Sequence, residues 1–200
     1  MKAQLNRFAP SATNLIRTDH SKVLTAFHRY KSNTAPETKR ALVALISTAL
    51  EVHAQLEEEI FYPALRELDP TLVEKNVPEH DRMRQLIGSL RNMEPGNPNY
   101  DRTFMDLMRA VIHHVADEET VLLPQAESML QHRLGELGAK MAKRKMELML
   151  PHTADLVSNT LRARPASSML LGAAVVLAAS ALFGHSPRRN VATRYSSQVR

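Results

Sequence analysis

One pattern occurs twice in this chain and limits what it can fold into. His53-Ala-Gln-Leu-Glu-Glu-Glu-Ile-Phe-Tyr-Pro63 is matched in spacing by His114-Val-Ala-Asp-Glu-Glu-Thr-Val-Leu-Leu-Pro124. In each copy a carboxylate, Glu57 or Glu118, follows the histidine by four residues, and a proline follows it by ten. Four residues of α-helix turn the chain to within about 40° of the starting direction, so each histidine shares a face with its carboxylate. In the first copy that face also carries Leu42, Leu45, Ile46, Ala49, Leu50, Leu56 and Ile60, which makes it a core face. An ionised carboxylate aimed into a core is costly unless something pairs with it. A metal cation is one such partner. Two helices of this kind, facing each other, bring two histidines and two carboxylates to one point, as in dinuclear sites built inside helix bundles.

The chemistry open to such a site is narrowed by what the chain lacks. There is no cysteine among its 200 residues, which excludes disulfides, thiolate ligands and cysteine nucleophiles. Nitrogen and oxygen donors remain, and they suit iron, manganese or zinc. Helix-forming residues are abundant, strand-like alternation is scarce, and the expected class is all-α.

Taken in order, four segments show helical periodicity. The first, residues 11–31, sets His20 in a stripe with Ile16, Val23, Leu24 and Phe27. The second begins at Pro36, a good first-turn residue, and runs to about 68. Pro63 is expected to kink or end it, freeing a carbonyl near Glu59. Asp69-Pro70 signals another start, and His80 shares a stripe with Met83, Ile87 and Leu90. Pro78 puts the regular start of that third helix near Val77. After the loop at 93–100 the last segment, to about 131, aligns Phe104, Leu107, Met108, Val111, His114, Val115 and Glu118. His28 and His113 point elsewhere. Short connections predict an up-down-up-down antiparallel four-helix bundle over 11–131, with one inward histidine per helix.

At this point the chain resembles a known family. Asp19-His20, His53-x-x-x-Glu57 leading into Ile60-Phe-Tyr-Pro63, Glu79-His80, and His113-His114-x-x-x-Glu118-Glu119 are similar in order and spacing to the hemerythrin-like, or HHE, domain. The resemblance implies a non-haem di-iron centre. It makes His20 and His53 terminal ligands of one iron, His80 and His114 those of the other, and Glu57 and Glu118 the bridges. Glu58 and Glu119 are alternative bridges. Asp19, Glu58 and Glu119 are candidates to orient the imidazoles from behind. Oxygen-carrying members place two histidines one turn apart on the third helix. Here the positions one turn either side of His80 are Asn76 and Arg84, so one iron is expected to keep an extra open position. That favours sensing, peroxide or nitric oxide chemistry, or iron handling over reversible oxygen storage.

Beyond the bundle the charge changes sign. Residues 1–132 carry 15 Lys and Arg against 18 Asp and Glu, whereas residues 133–200 carry 11 against 3. Residues 132–164 read as a basic helical extension, either capping the bundle or lying on anionic lipid, with Leu134, Leu137, Met141, Met146 and Leu148 as its apolar positions. Residues 165–184 contain no charge and are long enough for a transmembrane helix, the alternative being a buried or self-associating helix. A basic tail, 185–200, follows. The N-terminus has no apolar run of signal-peptide length, so secretion is not expected and a cytoplasmic domain tethered to the inner membrane is.

The leading functional expectation is a metal-binding protein that binds or senses dioxygen, nitric oxide or iron. A di-iron peroxidase or oxidase, and a metal-free membrane scaffold, are the alternatives. The expected partners are a diatomic or peroxide ligand, membrane lipid, and a second copy through the C-terminal helix. Nucleic acid is not expected, because no recognition motif accompanies the charge.

Overall fold

The computed structural model describes residues 10–162, with side chains through residue 151, and every regular element among them is helical. Helix α1 spans Ala12–Phe27, capped by Ser11, whose hydroxyl accepts from the Asn14 N–H at 3.3 Å. Helix α2 spans Pro36–Leu56 and starts with proline and Glu37, as the sequence predicts. Helix α4 spans Asn76–Arg91 and α5 spans Tyr100–Asp117. Asp69 caps only a short 3₁₀ turn, Pro70–Val73, through the Thr71 N–H at 2.9 Å, so α4 begins at Asn76 as the placement of Pro78 suggested. In the loop before α5 the Asn97 side chain accepts from the Asn99 N–H at 2.9 Å.

The two proline-bearing motifs depart from the expected kink. After Leu56 the chain makes a π-helical turn, Glu57–Phe61, and continues as α3, Tyr62–Arg66. The same happens at Glu118–Leu122 before α6, Leu123–Met129. The Tyr62 N–H reaches the Glu57 carbonyl and the Leu123 N–H reaches that of Glu118, five residues back in each case. In a regular α-helix Pro63 would press on the carbonyl of Glu59 and leave it unpaired. The wider turn takes up one extra residue and lets the helix run on. Both π turns begin at the glutamate of the repeated motif.

Two apolar clusters fill the bundle. One gathers Ile16, Leu56, Phe61, Leu65, Leu122, Leu123 and Ala126. The other gathers Val23, Phe27, Ile46, Leu50, Met83, Ile87, Phe104, Leu107 and Val111. On α1 and α2 the histidine lies between them in sequence: His20 follows Ile16 and precedes Val23, and His53 follows Leu50 and precedes Leu56. A polar layer thus divides the core.

Helix α7, Leu134–Arg162, packs against α1 and α2 and seats Leu137, Met141 and Met149 in the first cluster. The capping reading of this segment describes these residues, with one correction: Met146 is exposed, and Met149 takes the buried position instead. Gly138 permits the close approach, since a Cβ there would sit 2.1 Å from the Pro10 carbonyl oxygen. No helix among the described residues is long and apolar enough to cross a membrane. The stretch 165–184 and the tail 185–200 lie outside the described residues.

Candidate metal centre

Each helix of the bundle delivers its residue to the dividing layer as the spacing required. His20, His53, His80 and His114 are buried, and Glu57 and Glu118 are fully so. The Nε2 atoms turn inward. That of His53 lies 3.3 Å from Glu57 Oε2, that of His80 lies 3.3 Å from the same oxygen, and that of His20 lies 3.2 Å from Glu118 Oε2. His114 Nε2 is 3.5 Å from Glu118 Oε2 and 3.2 Å from His80 Nε2. Two donor groups emerge, each with its ligand atoms within 4.8 Å of one another: His20, His53, His114 and Glu118, and Glu57, His80 and His114. His114 belongs to both.

The outward nitrogens face a second ring of carboxylates. His20 Nδ1 is 3.0 Å from Glu119, His80 Nδ1 is 2.8 Å from Glu58, and His114 Nδ1 is 2.9 Å from Glu79. Asp19 stands 4.0 Å from His53 Nδ1. Each of these acids is the chain neighbour of an inner residue: Asp19 of His20, Glu58 of Glu57, Glu79 of His80, Glu119 of Glu118. One helical position turns the chain about 100°, so the inner residue of one helix and the outer acid of the next can address the same imidazole. Glu58 and Glu119, weighed as alternative bridges, are thus placed behind histidines. A third tier of cations holds the acids: Arg17 on Glu119 at 3.2 Å, Arg84 on Glu58 at 2.7 Å, and Lys145 on Asp19. His113, 71% exposed, lies outside the inner layer as expected.

Three residues at the site were missed by sequence reasoning. Tyr62 is buried and its hydroxyl lies 2.8 Å from Glu118 Oε1 and 3.0 Å from Glu57 Oε2. In a regular helix a residue five places after Glu57 points about 140° away from it; the π turn brings Tyr62 round. Asn76 donates to Glu118 Oε1 at 3.2 Å. Glu79 was quoted beside His80, but its role behind His114 depends on how α4 meets α5.

The donor set fits a cation. With Nδ1–H given to a carboxylate, Nε2 presents a lone pair to the centre. His80 and His114 then face each other acceptor to acceptor. His20 Nε2, His53 Nε2, Glu57 Oε1 and Glu118 Oε2 are buried without a hydrogen-bond partner, a costly state for polar atoms. The separations of 3.2–3.5 Å match neighbouring ligand atoms around an ion with bonds of about 2.1 Å, for which roughly 3.0–3.4 Å is expected.

The charges inside the layer are strongly interdependent. Burial and the charge of Glu118 push the Glu57 carboxyl well above its usual range. Glu118 goes the other way: burial opposes ionisation, but His20, His114 and Tyr62 outweigh it. Burial alone would lower the His20 imidazolium; Glu118, with Glu57 and Glu119, raises it to about 9. Burial and the neighbouring imidazoles hold His53 well below its ordinary value.

Comparison with known proteins agrees with this geometry. The model of the hemerythrin HHE cation binding domain matches residues 11–126. The crystal structure of a hemerythrin HHE cation binding domain-containing protein from Mycobacterium kansasii superposes with a TM-score of 0.61 at 20% identity, covering 82% of this chain and 99% of that one. At that identity the likeness speaks for the fold. A protein from Nostoc sp. described as a DNA nickase is 27% identical over 141 residues, 68% of this chain. The chain spans 40% of that relative's length.

Proposed function

The chain belongs to the hemerythrin HHE cation-binding domain family, and from that premise we propose that it is a non-haem di-iron protein that binds or senses dioxygen, nitric oxide or iron itself. His20, His53, Glu57, His80, His114 and Glu118 are the proposed ligands. The observation that carries the reading is the convergence of four imidazole Nε2 atoms and two buried carboxylates, four of whose donor atoms have no hydrogen-bond partner.

Iron would supply redox chemistry and a Lewis acid for a small ligand. The protein's share is positioning. Glu58, Glu79 and Glu119 fix the tautomer and direction of three imidazoles, Tyr62 and Asn76 orient the carboxylates, and the apolar clusters on both sides keep the layer dry. Asn76 donates to Glu118 and Arg84 turns out to Glu58, so neither offers a ligand where oxygen carriers have a second histidine. This supports sensing or ligand chemistry over storage. Membrane attachment through residues 165–184 belongs to the same proposal and rests on the sequence alone. The nicking activity named for the Nostoc relative is not assigned to this chain.

The test is anaerobic loading with ferrous iron, followed by absorption spectroscopy as air, then nitric oxide, is admitted. The reading expects bound iron whose spectrum changes on exposure and is retained through gel filtration. Peroxide turnover above that of free iron would move the protein to the peroxidase alternative. No bound iron would overturn the reading.

A further inference from the structure

We propose that Lys145 on α7 is a positioning residue for the metal centre: it draws Asp19 away from His53 and so leaves the ion at His53 more exchangeable than it would be with Asp19 behind the imidazole. The inference rests on the di-iron reading above.

Lys145 occupies an unusual place. Four residues after Met141 and four before Met149, it lies on the buried face of α7, and its side chain is only 14% exposed. Its ammonium donates to Asp19 Oδ1, on a carboxylate that is itself 8% exposed. The other Asp19 oxygen has no hydrogen-bond partner and stands 4.0 Å from His53 Nδ1, beyond hydrogen-bond range.

The comparison within the site is what gives this weight. The three other imidazoles sit 2.8–3.0 Å from their carboxylates. Two of those carboxylates also hold cations, yet keep their imidazoles. Arg17 grips Glu119 and Arg84 grips Glu58 from side chains about a third exposed. Lys145 instead approaches from within the fold, carried by a helix that begins after the family match ends at residue 126. The bundle motif therefore does not account for it.

The consequences share one sign. An imidazole whose Nδ1–H is held by a carboxylate is the better metal ligand, and His53 lacks that support from Asp19. A buried ammonium near the layer also opposes a second positive charge there. Conversely, removing the ammonium leaves Asp19 with Lys22 as its neighbouring cation and less fully compensated in the metal-free chain, and a bound cation relieves it. Both effects make metal bind more tightly once Lys145 is neutralised.

The experiment compares the full chain with Lys145→Met and Lys145→Arg, metal-free and loaded anaerobically with ferrous iron. We expect Lys145→Met to melt lower than the native chain without metal, yet to gain more from iron. Release of iron to a ferrous chelator should slow by about tenfold in at least one phase, the lower end of effects seen for such supporting contacts. Lys145→Arg should restore native release. In an Asp19→Asn background, Lys145→Met should slow release less than in the native background, because only the direct repulsion by the ammonium is then removed. Equal loss of melting temperature with and without iron, or release unchanged or faster, overturns the proposal. Lys145→Gln gives the same test should the methionine variant fail to fold. A native chain that binds no iron overturns the di-iron reading and this inference together. Iron bound normally, with release unaltered in both neutral variants, overturns this inference alone.

Discussion

Nε2 of His80 and Nε2 of His114 face each other at 3.2 Å, and each ring has its other nitrogen held by a glutamate, Glu58 and Glu79 respectively. Two lone pairs at that separation repel unless a proton or a cation stands between them. A divalent ion should therefore stabilise the fold. At free metal about a hundredfold above its dissociation constant, the gain is about 2.7 kcal/mol, read as a rise in melting temperature that a chelator reverses.

Substitutions should sort by position in the layer. His114→Ala removes a donor common to both ligand groups and should abolish most iron binding, while His53→Ala removes one donor from one group. His132 is exposed, and His132→Ala should bind iron like the native chain. Elemental analysis after desalting reads all three; equal loss in each would mean the ligand assignment is wrong.

Tyr62→Phe deletes the hydroxyl that bridges Glu57 and Glu118. Losing buried hydrogen bonds and leaving their acceptors short should cost the metal-free chain about 1–3 kcal/mol in urea unfolding. Tyr62→Leu, which installs the residue found at the matching place in the second motif, adds a cavity and should cost more, about 2–5 kcal/mol. No change in either would show that the hydroxyl does not tie the two carboxylates.

Gly138 and Gly88 should respond in opposite directions. A Cβ at Gly138 meets the Pro10 carbonyl, whereas one at Gly88, inside α4, meets nothing within 4 Å. Gly138→Ala should lower stability by about 1–3 kcal/mol through overpacking. Gly88→Ala should raise it by about 0.5–1 kcal/mol by favouring helix. Thermal melts of the two variants check this pair.

Asp101 provides a pH dependence away from the metal layer. Burial alone would raise its carboxyl, but Lys39 at 2.6 Å and Tyr30 at 2.5 Å outweigh that and hold it below the usual range. A depressed carboxyl contributes stability above its unfolded value near 3.8, and that contribution is lost as pH falls through the folded value. The stability difference between the native chain and Asp101→Asn should be constant near neutrality and shrink below about pH 4. A difference that grows with acid would contradict the sign.

The inner layer was legible because helical spacing alone puts His53 with Glu57 and His114 with Glu118, and because His20 and His80 interrupt apolar stripes. The choice of Glu118 over Glu119 as the inward carboxylate followed from the match to Glu57, and the fold places Glu118 inward. Tyr62 was hidden because its position depends on a π turn, and an α-helical projection sends it the wrong way. Asp19, Glu58 and Glu119 could be named as supports from adjacency, but which imidazole each one faces depends on helix pairing. The meeting of Lys145 with Asp19 joins residues 126 positions apart, and no local pattern announces it.

The most direct measurement is iron per chain after anaerobic titration with ferrous iron, on the native chain and on a Glu57→Gln, Glu118→Gln double variant. The account predicts about two irons in the native chain, as in other bundle-held dinuclear sites, and almost none in the variant. A native chain that retains no iron, or a variant that retains as much as the native chain, would contradict it.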